Sequence, residues 1–165
     1  MKARKPQSLM LAQSGMMAAL VFVATYFFKL PVSVTQGYIH LGDGFILLGA
    51  ALLGAPAIAA AAVGSMLADL LGGYTLYILP TFLIKGAVAW VAVRAFARKR
   101  PTWAIALWMV LAEIVMVLGY FVLEWLVLGY GLAAALGALV PNMVQGLSGV
   151  VIVILLLPLA KRIKR

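Results

Sequence analysis

Long runs of apolar residues, separated by glycines, prolines and short polar stretches, make up most of the 165-residue chain. Most runs approach the roughly 20 apolar residues that a membrane-spanning helix needs, and the second is short for a span. The runs are unbroken, which argues against a transmembrane β-barrel, whose segments alternate over about ten residues. The pattern predicts six helices in one bundle, with an amphipathic loop at 29–41. The helices are predicted at about 9–28, 42–53, 56–71, 80–97, 103–128 and 139–159.

Composition agrees with a protein that spans the membrane. Apolar and aromatic residues make up 66% of the chain and charged residues 10%, against about 45–50% and about 25% in soluble domains. These values exclude a single water-soluble domain and a disordered chain. We therefore expect an all-α integral membrane protein with a single domain over 1–165. The absence of Cys excludes disulfides, thiolate catalysis and cysteine-based metal sites.

Positive charge predicts the orientation of the bundle. Eleven of the thirteen Lys and Arg residues form three groups, at the two termini and in the connection after the fourth helix. Six spans place these groups on one side, which the positive-inside rule makes cytoplasmic. The net charge of +9 therefore indicates a lipid bilayer and not nucleic acid as partner. The groups are Lys2, Arg4 and Lys5; Arg94, Arg98, Lys99 and Arg100; and Lys161, Arg162, Lys164 and Arg165.

Polar side chains within the apolar helices collect near the predicted outer ends. Polar groups inside a membrane are costly, so their convergence predicts a binding site. Water-exposed helix ends and structural pairs are the alternative for any one of them. Asn142 and Gln145 offer donors and acceptors suited to a neutral polar heterocycle, or else bond helix to helix. The set comprises His40, Asp43, Asp69, Lys85, Glu124, Asn142 and Gln145.

The fifth helix carries three polar residues on one face. Glu113, Tyr120 and Glu124 are spaced by seven and four residues, which aligns them on a helix. Glu113 lies deepest and must be paired or protonated. Lys85 is the natural partner for Glu113 or Asp69, as a structural ion pair or as part of a substrate site. Glu124 is the better candidate ligand of a substrate.

Aromatic residues also concentrate in the predicted outer half. An interfacial aromatic belt explains most of them. Tyr74, Tyr77 and Trp125 also lie beside the polar cluster, where their rings either belong to this belt or stack on a flat ligand. Tyr74 and Tyr77, together with Tyr120 of the fifth helix, are candidate substrate-binding residues.

Small residues on the first helix indicate close helix contact. Gly15 and Ala19 form a small-xxx-small pair, which permits close approach of another helix in this chain or in another subunit. The sequence contains no Walker-type phosphate loop, metal-binding His pair or serine-histidine-acid set, so no enzyme site, metal site or ATPase site is predicted.

The stretch from Tyr38 to Gly86 resembles the substrate-binding S components of energy-coupling factor (ECF) vitamin transporters. The specific parts are HLGD at His40–Asp43, the G-x-x-x-A/D-L pattern at Gly64–Leu70 and PTFLIKG at Pro80–Gly86. The six-helix plan extends the resemblance over the whole chain. Gly15 and Ala19 match the family's AxxxA docking motif, with Gly in place of the first Ala.

This resemblance implies a mechanism and a set of partners. An S component of the bacterial plasma membrane binds a vitamin in an outward pocket and associates with a transmembrane T component and two cytoplasmic ATPases. It then topples to release the vitamin. Gly15 and Ala19 would face the T component, the loop at 29–41 would gate the pocket, and the partners would use ATP. This chain would bind no cofactor.

The subgroup that the sequence resembles most takes hydroxymethylpyrimidine, pyridoxine or riboflavin. A small, neutral, hydroxymethylated ring suits Glu124, Asn142 and Gln145, so we expect hydroxymethylpyrimidine or pyridoxine, with riboflavin as the alternative. A competing class is an autonomous secondary transporter, in which Asp69, Lys85 and Glu113 would relay protons. A membrane scaffold without a ligand is the third.

Overall fold

The computed structural model describes residues 6–32, 35 and 37–163 and consists mainly of helices. Helices α1 to α4 lie within two residues of the predicted ranges. Helix α5 is followed by a π-helical turn, Leu123–Val127, and a 3₁₀ turn, Thr75–Tyr77, precedes α4. The helices are α1 (Gln7–Phe27), α2 (Gly42–Leu53), α3 (Pro56–Gly72), α4 (Ile78–Phe96), α5 (Thr102–Val122) and α6 (Leu132–Ile163).

Turn residues set the ends of α3. Pro56 occupies its first turn, where the missing N–H costs no hydrogen bond. At the other end Gly73 has φ +80° and its N–H contacts the carbonyls of Asp69 and Leu70. A residue with a side chain adopts this left-handed conformation only at a cost, so glycine ends the helix here.

The predicted start of the sixth helix is wrong. The stretch from Gly129 to Gly137 was expected to be a connection, but α6 begins at Leu132. The turn is completed by Gly129 and Gly131, with φ of +67° and +89°. The residues that follow are mostly Ala and Leu, and one Gly inside a helix costs only about 1 kcal/mol, so the helix forms through Gly137.

The loop predicted at 29–41 contains a β-hairpin. Strands β1 (Lys29–Pro31) and β2 (Tyr38–His40) pair antiparallel, with Lys29 opposite His40. Three-residue strands are too short to give a readable alternation of polar and apolar positions, so the sequence did not predict them. Ser33, Val34 and Gln36 of the same loop, and the basic residues Lys2, Arg4, Lys5, Lys164 and Arg165, lie outside the described residues.

Four segments of the described chain are long and apolar enough to cross a membrane. They are Gln7–Phe27, Thr75–Phe96, Thr102–Val127 and Leu132–Leu159. Helices α2 and α3 are apolar but have only 12 and 17 residues, about 18 and 26 Å at 1.5 Å per residue. The protein is therefore a multi-pass membrane protein, and the crossing by all six helices with cytoplasmic termini stays a prediction.

Small residues allow α1 and α3 to pack with their backbones in near contact. A Cβ at Gly64 would collide with the carbonyl oxygen of Ala18 and lie 3.0 Å from the Cβ of Val21. The alanines of α3 that share this pattern are buried, so they serve packing within the chain. They are Ala57, Ala60, Ala61 and Ala68.

Candidate functional site

A small polar cavity lies beneath the hairpin, between it and the ends of α3 to α6. Its volume is about 30 Å³, enough for one or two water molecules. Six of the predicted binding residues line it: His40, Tyr77, Tyr120, Glu124, Asn142 and Gln145. The other lining residues are Val32, Thr35, Gly37, Tyr38, Asp69, Thr81 and Ala138.

A buried ion pair lies behind the cavity. The Nζ atom of Lys85 on α4 lies 2.6 and 2.9 Å from the two carboxylate oxygens of Asp43 on α2. Neither side chain is exposed by more than 1%. Two charges this deeply buried are stable only together and with further hydrogen bonds. Asp43 and Lys85 therefore support the wall of the cavity and do not line it.

The predicted partner of Lys85 is wrong. The sequence analysis paired Lys85 with Glu113 or Asp69, whereas the structure pairs it with Asp43. Glu113 is 4% exposed and both of its carboxylate oxygens lack a hydrogen-bond partner. Its side chain packs against α6, where a Cβ at Gly146 would lie 2.8 Å from the Cβ of Glu113. Gly146 therefore makes room for the glutamate.

Gln145 connects the ion pair to the hairpin. Its Nε2 donates to Asp43, and its Oε1 accepts from the backbone N–H of His40 at 2.8 Å. A carboxylate can only accept hydrogen bonds, so the amide orientation is fixed. Strand β2 is thereby tied to α2, α4 and α6 through a single glutamine.

His40 is a neutral hydrogen-bond acceptor. Its Nδ1 accepts from the backbone N–H of Gly42 at 2.9 Å. Burial, with a contribution from the nearby Lys85 ammonium, lowers the pKa of His40 to about 3. A Cβ at Gly42 would collide with Thr25 and lie 2.8 Å from the His40 Nδ1. The glycine in HLGD thus lets the chain fold the imidazole over the start of α2.

Carboxylates and hydroxyls pair along the cavity wall. The hydroxyl of Tyr77 donates to Oε1 of Glu124 at 3.0 Å, and the hydroxyls of Thr81 and Tyr120 share a hydrogen bond of 3.0 Å. The π-helical turn Leu123–Val127 carries Glu124. Such turns widen a helix locally and often occur at functional sites.

Two contacts hold the hairpin against its neighbours, one on α3 and one on Tyr26 of α1 and Tyr74 after α3. The Tyr38 hydroxyl donates to Oδ1 of Asp69 at 2.7 Å, and burial beside this carboxylate raises the pKa of Tyr38. The Nζ atom of Lys29 lies 4.6, 5.4 and 5.1 Å from the ring centroids of Tyr26, Tyr38 and Tyr74. Tyr74, a predicted binding residue, stands outside the cavity lining and packs on Tyr38, with centroids 4.5 Å apart.

The sequence analysis did not identify Tyr38 and Thr81 as lining residues. Tyr38 belongs to the unpredicted hairpin, and its position only follows from the pairing of β1 with β2. Thr81 lies on an apolar helix, where threonine also serves contacts between helices, so its position did not identify it as a lining residue. Within the described residues, no group of three or more His, Asp or Glu side chains could hold a metal ion.

Gly15 and Ala19 lie apart from the cavity, on a face of α1 that residues 6–32, 35 and 37–163 leave uncovered. Both residues are exposed, and no atom lies within 4 Å of a Cβ built at Gly15. These small residues are therefore not used for packing in the described part of the chain, in contrast to Gly64 on α3.

Comparison with known proteins identifies the family. The family model described as "ECF-type riboflavin transporter, S component" matches residues 7–165. The chain belongs to this family. S components are the substrate-binding subunits of vitamin transporters that work with T and ATPase modules; they are not enzymes. The chain is accordingly a multi-pass protein of the plasma membrane.

Two individual proteins resemble this S component. An uncharacterized protein of Pyrococcus woesei is 38% identical over 135 residues, which cover 80% of this chain and 88% of the relative. The solved structure of the S component of a bacterial ECF transporter superposes with a TM-score of 0.77 over 97% of this chain and 100% of that chain. At 24% identity, this second likeness shows the fold alone.

Proposed function

We propose that this S component binds riboflavin and delivers it to an ATP-driven uptake complex. The observation that carries the proposal is the polar, tyrosine-lined cavity beneath the hairpin, in a chain matched over 7–165 by the riboflavin S-component family. The sequence analysis favoured hydroxymethylpyrimidine or pyridoxine as the substrate. Because the family description names riboflavin, riboflavin becomes the first candidate.

The cavity lining suits a flat polar ring. Tyr77 and Tyr120 lie side by side, with ring centroids 6.3 Å apart, and aromatic rings pack well against planar heterocycles. Asn142 on α6 supplies both a donor and an acceptor and is 9% exposed. These groups orient a neutral heterocycle without requiring it to carry a charge.

Substrate entry requires movement of the hairpin. A cavity of about 30 Å³ is far smaller than the roughly 300–1,000 Å³ typical of sites for small molecules. The hairpin is held by side-chain contacts from Tyr38 and Lys29 and by the His40 backbone bond to Gln145. Breaking these few contacts opens the cavity without disturbing a helix, which makes 29–41 the gate.

Hydroxymethylpyrimidine or pyridoxine is the second candidate. The small size of the cavity favours it, because a single six-membered ring needs less displacement of the hairpin than the three fused rings of riboflavin. Both candidates use the same lining residues, so the choice between them depends on how far the hairpin moves.

Partner docking uses the uncovered face of α1. In our proposal Gly15 and Ala19 contact the transmembrane T component, while two cytoplasmic ATPases hydrolyse ATP. The exposure of both residues and the open space at Gly15 support this assignment. All six helices cross the membrane and both termini are cytoplasmic in the same proposal.

Calorimetric titration of the detergent-purified chain tests the substrate. We expect tight binding of riboflavin and weak or no binding of hydroxymethylpyrimidine and pyridoxine. The reverse order establishes the second candidate. Failure of all three to bind to protein with a cooperative unfolding transition contradicts both.

Reconstitution tests the transport class. Uptake into proteoliposomes should require the T component, both ATPases and ATP. A chain that transports alone under a proton gradient would instead be an autonomous secondary transporter, with Asp69, Lys85 and Glu113 as the relay.

A further inference from the structure

Two carboxylate oxygens at the cavity have no hydrogen-bond partner among the residues that the structure describes. Asp69 and Glu124 both line the cavity and both are 3% exposed. Each has one oxygen that accepts from a tyrosine, Tyr38 or Tyr77. The second oxygens, Oδ2 of Asp69 and Oε2 of Glu124, are buried and accept no hydrogen bond from a described residue. A buried acceptor without a donor is costly, so a ligand that donates to these oxygens is favoured.

The side chain of Gln145 adds a third acceptor. Its Nε2 is committed to Asp43, and its Oε1 faces the His40 backbone N–H. A carbonyl oxygen has two lone pairs, so Oε1 retains one for a ligand. Asp69, Glu124 and Gln145 thus offer three acceptor positions to a ligand, beside the donor and the acceptor of the Asn142 amide.

No cation offsets this acidic character. None of the described residues that line the cavity is Lys or Arg, and neither residue type occurs in 30–84 or 101–160. Lys85 is 0% exposed and bound to Asp43. Lys29 lies among three tyrosine rings and is absent from the lining.

We propose that the cavity selects an uncharged ligand that donates hydrogen bonds to Asp69 and Glu124, and that it rejects the phosphate ester of the same compound. The selection rests on the proposed function, because it names the ligand chemistry of that same site. A phosphate within about 5 Å of a carboxylate, at an effective dielectric constant of about 20, loses more than about 100-fold in affinity.

The first experiment compares a vitamin with its own phosphate on the unmodified chain. Riboflavin and riboflavin 5′-phosphate are titrated into the detergent-purified protein, and pyridoxine and pyridoxine 5′-phosphate are titrated in parallel. The comparison is made for the vitamin, riboflavin or pyridoxine, that binds to the protein in its free form. We expect the phosphate ester to bind at least about 100-fold more weakly than the free vitamin.

Charge-neutralising variants assign the effect to the two carboxylates. Asp69→Asn and Glu124→Gln keep the shape of each side chain and remove its charge. Each variant should bind the free vitamin more weakly. Each should also lower the ratio of the dissociation constant of the phosphate ester to that of the free vitamin by at least about tenfold. Tyr120→Phe is the matched control: it removes a lining hydroxyl that bonds to Thr81 and changes no charge, so the ratio should stay as in the unmodified chain.

The outcomes separate this proposal from the proposed function. If the free vitamin and its phosphate bind within about tenfold of each other, selection against phosphate is wrong although vitamin binding stands. A ratio that is large but unchanged in both Asp69→Asn and Glu124→Gln removes the carboxylates as its cause. A loss of phosphate binding in Lys29→Met would show that Lys29 receives the phosphate, which also overturns the proposal. If no vitamin binds, the proposed function fails and this selection fails with it.

Discussion

At the scale of single residues, Lys85 depends on one partner. Its ammonium group is fully buried and bound to Asp43. Removing one member of a buried pair leaves an uncompensated charge and costs about 3–5 kcal/mol. We therefore expect Lys85→Met to lower the unfolding free energy by about this amount, measured by chemical unfolding in detergent.

Two further variants test this reading of the pair. The double variant with Asp43→Leu should recover much of the loss, because no buried charge remains. Lys99→Met removes an exposed lysine and should change stability by less than about 0.5 kcal/mol. Equal effects of Lys85→Met and Lys99→Met would contradict the importance of the ion pair.

His40 predicts how stability depends on pH. The pKa of His40 is about 3 in the folded protein and about 6.5 when unfolded, so between these values the unfolded state binds more protons. Stability is then complete above about pH 6.5 and falls as the pH is lowered, by about 1.4 kcal/mol per pH unit. Unfolding measured from pH 7.5 to 5 checks this.

The chain offers a direct control for this pH profile. His40 is its only histidine, so no other side chain titrates near pH 6.5 when unaltered. His40→Asn keeps an acceptor for the Gly42 N–H and should flatten the profile. A slope that persists in His40→Asn would assign the titration to another group.

Sequence reasoning located the polar residues but not their partners. Glu124, Asn142 and Gln145 could be predicted at the site because polar side chains are rare in apolar helices and are placed there at a cost. The partner of Lys85 could not be predicted, because its choice depends on how α2, α4 and α6 rotate against one another. Helices that are apolar on all faces carry no periodic signal for that rotation.

At the scale of elements, the hairpin contributes a gate whose strength depends on Lys29. Its ammonium group lies about 5 Å from the rings of Tyr26 and Tyr74, outside the hairpin. We count this shared ammonium as one cation–π interaction of about 0.5–2 kcal/mol. Lys29→Met should therefore accelerate substrate association and dissociation, each by about 2- to 30-fold. Stopped-flow fluorescence measures both rates.

The conservative variant serves as control for the gate. Lys29→Arg retains a cation that stacks on aromatic rings and should keep both rates close to those of the unmodified chain. Unchanged rates in Lys29→Met would mean that the hairpin is held by the Tyr38 and His40 contacts alone.

The face of α1 that carries Gly15 is predicted to be needed for docking of the T component but not for folding of this chain. Gly15→Leu projects into open space, so binding of the vitamin should be unaffected, while uptake with the T component and ATPases should be lost because close helix approach is blocked. Gly64→Leu is the matched control on α3: it collides with Ala18 and should destabilise the chain itself. Normal uptake by Gly15→Leu would remove this face from the docking surface.

The elements that the sequence predicted best are those bounded by strong turn signals. Pro56 and the Gly72–Gly73 pair bracket α3, and the prediction placed that helix within one residue. The start of α6 was misplaced because glycines at 129, 131 and 137 look alike in sequence. Only the first two adopt positive φ, and that depends on the backbone path that the helix packing imposes.

At the scale of the whole molecule, the prediction is that all six helices cross the membrane, and this prediction depends most on the short helix α2. Helix α2 has 12 residues, about 18 Å, against a hydrocarbon core of about 30 Å. Crossing by such a short helix is possible only where the hairpin and neighbouring helices cover its ends. If α2 and α3 both cross, the turn at Gly54–Ala55 faces the cytoplasm together with Lys99.

The absence of Cys makes this topology directly measurable. Single cysteines at Leu76, Ala55 and Lys99, all exposed positions, are treated in intact cells with a membrane-impermeant maleimide. We expect Leu76→Cys to react at once, and Ala55→Cys and Lys99→Cys to react only after the membrane is permeabilised. Reaction of Ala55→Cys but not of Lys99→Cys in intact cells would show that α2 and α3 do not both cross, because the two positions would then lie on opposite sides of the membrane.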